Sequence, residues 1–317
     1  MIIDLHPEFG LELVLGIPYA HWLHERGDLE SVRTVNGMKP FYYFCDNVKE
    51  VYNYRTIDNA AAGLNTLPNN WIHHNAMSMF GKGYGDLDDS QKAVSNGTLD
   101  YSEWSLPNYT EYYHNDEFKF EKPFVVVSNR YNIEHGQPPI GFFDIQSLYD
   151  IFDYLTSSGY MVVYKRPKNN EFPLDTNEMN SVRAGFKDIS ANVEGHGMMT
   201  DYQLVQYFED VILLDDLIKD KNTNNYNECQ LKLFSNADGF IAMGGGSTLL
   251  CCLFNKPTIS YFTTSIECGR EDYFGDDNYY RKMCDEFYPI LDHEKDIKSR
   301  GKKDYTNLIH KIREVFK

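Results

Sequence analysis

The stretch LFSNADGFIAMGGGSTLLCCLFNKPTISYF, residues 233 to 262, constrains this chain more than any other. Gly239–Met243 is a short apolar run that reads as a buried strand, and Gly244-Gly245-Gly246-Ser247-Thr248 follows it without a bulky side chain. The apolar run Leu249–Phe254 predicts a helix that stops near Asn255-Lys256-Pro257, and Thr258–Phe262 predicts a second strand. Strand, glycine turn, helix, strand is a βαβ unit, so the expected class is α/β with a parallel sheet. The first amides of such a helix have no intrahelical acceptor, and with the positive end of the helix dipole they suit a phosphate. Ser247 and Thr248 add hydroxyls that can cap the helix. One glycine would make the turn; three, before a helix apolar nearly all round, point to an open loop at the carboxyl end of a buried strand.

At 317 residues the chain exceeds one ordinary core and predicts two domains of roughly 120 to 190 residues. The net charge of -17 leaves no surplus of cations for coating nucleic acid. Six cysteines (Cys45, Cys229, Cys251, Cys252, Cys268, Cys284) form no CxxC pair or zinc-spaced cluster, so reduced thiols are expected, with Cys251 and Cys252 as core residues. No basic leader and no run of 18 apolar residues occurs, which predicts a cytoplasmic protein without a transmembrane segment.

Along the chain, Met1–Leu5 is a strand candidate, followed by a loop with His6 and Glu8 and a helix that Pro18 should kink or split. Val32–Val35 and Phe41–Phe44 are further strand candidates. Between Thr56 and Tyr113 periodicity weakens into aromatic-rich loops. The charged run from Asp116 to Lys122 reads as a linker. After it, Phe124–Ser128, the helix Ile145–Ser157 and the strand Tyr160–Tyr164 form a second β-α-β opening. Then come a helix from Asp201 to Phe208, a strand from Val211 to Leu214, a helix from Asn227 to Asn236, and a last amphipathic helix from Tyr305 to Phe316.

This arrangement resembles the GT-B glycosyltransferases, most sharply from Ser235-Asn236-Ala237-Asp238 through the glycine turn to Lys256-Pro257. The resemblance implies two Rossmann-like domains facing each other across a cleft: residues 1–121 on the acceptor side, 122–298 binding a nucleotide-sugar, and 299–317 as a helix crossing back to the first domain. It implies a hexosyl- or pentosyltransferase that moves a sugar from a nucleotide-diphosphate sugar to a glycan hydroxyl, with inversion and without an obligatory cofactor or metal. Sugar-nucleotide 2-epimerases share the pattern, and a non-catalytic carbohydrate-binding protein is the alternative outside enzymes.

Under that resemblance Gly244, Gly245, Gly246, Ser247 and Thr248 meet the donor diphosphate. Arg130 and the pair Lys165-Arg166 follow apolar strands and are the cations expected to neutralise it. Glu134, His135, Glu194, His196 and Glu267 are candidate contacts to the donor's sugar or nucleotide. The general base is expected at Glu8 or His6, with Glu8 preferred. Each has a plainer alternative: strand-end charge for the cations, a helix-capping carboxylate for Glu8, a packed loop histidine for His6. Asp86-Leu87-Asp88 matches the metal motif of a different glycosyltransferase fold but reads as a solvated turn.

Overall fold

The computed structural model describes residues 1–56, 61–68, 86, 88, 101–130, 141–166, 189–220, 226–262, 279–291 and 303–317. The chain divides into two compact units: Met1–Pro107, and a second containing Asn108–Pro173 and Ser181–Lys317. The division precedes the expected 121/122 boundary, because Tyr109 and Tyr113 of the helix α3 (Tyr109–Tyr113) are buried and the Thr110 hydroxyl donates to the carbonyl of Phe254 in the second unit.

In the first unit, strands β1 (Ile2–Asp4), β2 (Ser31–Val35) and β3 (Val48–Tyr52) pair in parallel in that order. The expected strand at Phe41–Phe44 is instead the end of a 3₁₀ turn, Lys39–Tyr42, with Pro40 in its first turn; Val48–Tyr52 supplies the strand. The helical segment after β1 is broken as Pro18 requires. A short α1 (Phe9–Leu11) passes through a π-helical stretch, Glu12–Gly16, into α2 (Ile17–Glu25). Proline has no N–H to offer the carbonyl four residues back, and that carbonyl, on Val14, instead accepts the Trp104 indole N–H at 2.8 Å.

The second unit is built on β4 (Phe124–Ser128), β5 (Met161–Lys165), β8 (Val211–Leu213), β9 (Gly239–Met243), β10 (Thr258–Phe262) and β11 (Phe287–Leu291). A separate antiparallel hairpin, β6 (Ser190–Val193) with β7 (Gly197–Thr200), lies between β5 and β8 in the chain. The large sheet is parallel throughout and ordered β8-β5-β4-β9-β10-β11. Numbered within this sheet, that order is 3-2-1-4-5-6, the doubly wound arrangement, which reverses direction between β4 and β9. All residues of β4, β5, β9 and β10 are buried, which accounts for their unbroken apolar runs.

With α3, the helices among the described residues of this unit are α4 (Ile145–Ser157), α5 (Asp201–Tyr207), α6 (Leu214–Asp220), α7 (Tyr226–Asn236), α8 (Gly246–Cys252), α9 (Tyr279–Met283) and α10 (Thr306–Val315). Asp144 caps α4, and a capping box of Thr200 with Gln203 starts α5. The last helix buries its apolar face in the second unit. Its stripe of Leu308 and Ile312, with Phe316 just beyond, is buried in the second unit's core beside Ile241, Ile259 and Tyr261. The aromatic edge of Phe316 fills the space above Gly239, where a β-carbon would lie 2.6 Å from it.

Lys256 ties the βαβ unit together. Its ammonium donates to the carbonyls of Ser235, at 2.7 Å, and Ala237, closing the end of α7. Lys256→Met should therefore lower unfolding free energy by about 1–3 kcal/mol, the cost of buried carbonyls left without a donor, measurable by urea denaturation. An unchanged midpoint would show the clamp to be dispensable. Cys251 and Cys252 are fully buried as expected, and burial pushes the Cys251 thiol up to about 12.

Candidate functional site

Open α/β sheets bind ligands outside the carboxyl ends of their strands where the strand order reverses. Here that point lies between β4 and β9. Arg130 leaves the end of β4, and the glycine turn leaves the end of β9. The two meet: a β-carbon built at Gly245 would lie 2.8 Å from Arg130 Nη1. Gly245 also has φ +113° and ψ -155°, a conformation that side chains disfavour, so both backbone and space require glycine. Gly244 is required for another reason, since a β-carbon there would stand 2.4 Å from the Phe262 ring. Gly245, Gly246 and Ser247 are partly exposed, and the Thr248 and Leu249 amides turn back onto the Gly245 carbonyl at 3.0 and 3.2 Å. Thr248 is buried; its hydroxyl binds the Met243 carbonyl at 2.9 Å and Ser260 Oγ at 2.7 Å, stitching turn to sheet.

The other two expected cations part company at the end of β5, because successive strand residues face opposite sides of the sheet. Lys165 is buried with Nζ 6.0 Å from the Phe234 ring of α7, and its charge reaches Cys251 in α8, the helix that the glycine turn begins. Arg166 is matched internally. It donates to both carboxylate oxygens of the buried Asp201 and lies over the Tyr202 ring at 4.2 Å.

Glu194 and His196 lie in the turn of the β6–β7 hairpin, on either side of Gly195. The Glu194 amide donates to Gln146, and His196 Nε2 lies 3.0 Å from the Tyr149 hydroxyl and packs against Tyr207. Glu134, His135 and Glu267 lie outside the described residues. Asp86 and Asp88 are exposed, as a solvated turn requires, with Leu87 outside the description.

In the first unit the loop after β1 carries His6 and Glu8. Glu8 occupies the N-cap position of α1 with an exposed side chain that makes no capping hydrogen bond. His6 is buried, stacked on Tyr52 at 4.0 Å; desolvation lowers its pKa, outweighing the opposing pull of Asp4 and Glu12. It is therefore a neutral imidazole at pH 7. Beneath this loop is a cluster that sequence reading missed. The fully buried Glu12 accepts from Thr34, from the Tyr42 hydroxyl at 2.8 Å and from Arg55, whose Nη1 also binds the Pro7 carbonyl at 2.7 Å. A glutamate on an apolar stripe in the sequence was the signal, since an unpaired carboxylate is not tolerated there.

The described second unit also has an open cavity of ≈ 330 Å³, lined by Phe124, Asp238 and Lys256 among others. It opens at the amino ends of β4, β9 and β10, opposite the pole where Arg130 meets the glycine turn, so volume and chemistry point to different ends of the sheet. The switch-point end carries the guanidinium and the partly exposed glycine turn, and it is the candidate site. Among the described residues no helix is long and apolar enough to cross a membrane.

No protein-family model and no curated relative matches the sequence. Solved structures match its shape along almost its entire length. An ADP-heptose lipopolysaccharide heptosyltransferase II of E. coli superposes with a TM-score of 0.55 at 9% identity, covering 99% of this chain and 98% of the other. An E. coli heptosyltransferase bound to ADP-2-deoxy-2-fluoro heptose gives 0.54 at 8%, with 99% and 98% covered. A family 9 glycosyltransferase of Veillonella parvula gives 0.52 at 11%, with 99% and 96% covered. The chain shares the fold of these structures.

Proposed function

We propose, taking that shared fold as the premise, that this protein is a glycosyltransferase that moves a sugar from a nucleotide-diphosphate donor to a glycan hydroxyl. The observation that carries the reading is Arg130 beside Gly245 at the point where the strand order reverses. A planar guanidinium with parallel N–H donors, next to a partly exposed glycine turn at a helix start, matches the oxygens of a diphosphate. Lys165 adds positive charge from the neighbouring strand end. In the proposed reaction the acceptor hydroxyl attacks the anomeric carbon while the bond from that carbon to the diphosphate oxygen breaks. The bonding pair leaves on that oxygen, where Arg130 and the turn amides stabilise it. The hydroxyl proton passes to a base proposed at Glu8 or His6, and a single displacement inverts the anomeric centre. The reading includes no obligatory metal, a cytoplasmic location and no nucleic-acid partner. Because two of the similar structures are named for heptosyl transfer, an ADP-heptose belongs in the first donor panel beside UDP, GDP and CMP sugars.

Gly245 tolerates no side chain, so Arg130 is the cleaner test. Arg130→Ala should weaken nucleoside diphosphate binding about 10- to 100-fold by calorimetry, equivalent to losing a charge-assisted hydrogen bond of about 1.5–3 kcal/mol. Equal affinity in the variant, or no nucleotide binding by the parent protein, would remove the proposed donor site.

A further inference from the structure

We infer that the loop Gly141–Asp144 and the C-terminal residues Lys303–Tyr305 form a brace that positions the Arg130 guanidinium; the inference rests on the donor-diphosphate reading. Arginine has a long side chain whose ordering costs conformational entropy, so a guanidinium held in place before the ligand arrives binds more tightly than a mobile one. Arg130 is held on two sides. Its Nε donates to the Gly141 carbonyl at 3.2 Å, and a β-carbon at Gly141 would stand 2.7 Å from Nη2. On the other side is Gly245, equally close to Nη1. Backbone alone forms both walls of this slot.

The Gly141 wall is in turn secured at each succeeding residue. The Phe142 carbonyl accepts the Lys303 ammonium, which also sits 3.2 Å from the centroid of the Phe142 ring. Phe143 exchanges two hydrogen bonds with the side chain of Asn129, the neighbour of Arg130, at 2.9 and 3.2 Å. The Asp144 amide donates to the Tyr305 hydroxyl at 3.1 Å. Tyr305 stacks on Tyr261 of β10, with ring centroids 5.0 Å apart and planes inclined by 28°, and the Tyr261 hydroxyl donates to the Asp304 carbonyl at 3.0 Å. The C-terminal segment therefore fixes the loop to the sheet, and the loop fixes the arginine. Nothing in the sequence links residue 303 to residue 130; the connection exists only through this chain of contacts.

Gly141→Ala and Lys303→Met test the brace. Gly141 does not have a positive φ, so alanine there adds a methyl group against Arg130 without backbone strain. Two measurements are made on the full chain. In the ligand-free protein, ¹⁵N relaxation of the Arg130 Nε–Hε signal should report a rigid group in the parent and a more mobile one in both variants. Affinity for inorganic pyrophosphate should fall about 3- to 30-fold in each variant, and neither change should weaken binding further once Arg130→Ala is present. An unaltered Arg130 signal in both variants overturns the brace. So does an affinity loss of the same size in the Arg130→Ala background, because that loss would not pass through the arginine. Failure of the parent protein to bind pyrophosphate would sink the donor reading instead, while the relaxation measurement would still decide the brace.

Discussion

Asp201→Ala should destabilise the second unit by about 3–5 kcal/mol, because it strands a buried guanidinium without a counter-charge. Asp201 is completely buried at the start of α5 and Arg166 is nearly so at the end of β5. The carboxylate accepts two Arg166 nitrogens, one of them at 2.9 Å, and the Tyr164 hydroxyl at 2.9 Å. Burial alone would lower the arginine's pKa, but its bond to Asp201 and the charge of Asp201 hold it above the ordinary value. Deleting the carboxylate removes these compensations and leaves the desolvation. Urea unfolding of the full chain measures the loss. A change under about 1 kcal/mol would mean that the pair is replaced by water without difficulty. The same geometry makes Arg166 the weakest of the three proposed donor cations, since a ligand phosphate would have to compete with Asp201 for its donors.

Glu8→Gln should depress turnover about 10²- to 10⁴-fold while leaving nucleotide affinity unchanged, the signature of a missing general base. The amide keeps the shape of the carboxylate and cannot take a proton. Glu8 is preferred over His6 because its side chain is exposed, whereas His6 is buried against Tyr52. The comparison is made by repeating the kinetics with His6→Gln. If Glu8→Gln keeps full activity and His6→Gln loses it, the base is the imidazole. Burial lowers the pKa of His6, so a histidine base would hold its activity at more acidic pH than an ordinary histidine, down to that lowered value.

Much of the second unit was legible because its signals are local. The apolar runs at Phe124–Ser128 and Thr258–Phe262 and the stripe Leu148, Ile151, Phe152, Leu155 each match the period of the element that formed. The miss at Phe41–Phe44 has an equally local cause. Aromatic residues favour strands, but Pro40 suits the first turn of a helix, and Val48–Tyr52, mostly exposed and charged in its middle, carries little strand pattern. The C-terminal helix was recognised by its stripe, but its partners in the second unit's core were not legible, since amphipathicity states that a face is buried without stating against what.

By itself the sequence determined the βαβ unit, the glycine turn and the two basic strand ends, because periodicity and backbone freedom are properties of neighbouring residues. Tertiary structure alone decided which charges are available. Sheet order brings Arg130 to Gly245 across more than a hundred residues of chain, and the packing of α5 sends Arg166 to Asp201. A charge acts through space, and the distances that set its partners do not exist until the sheet has formed.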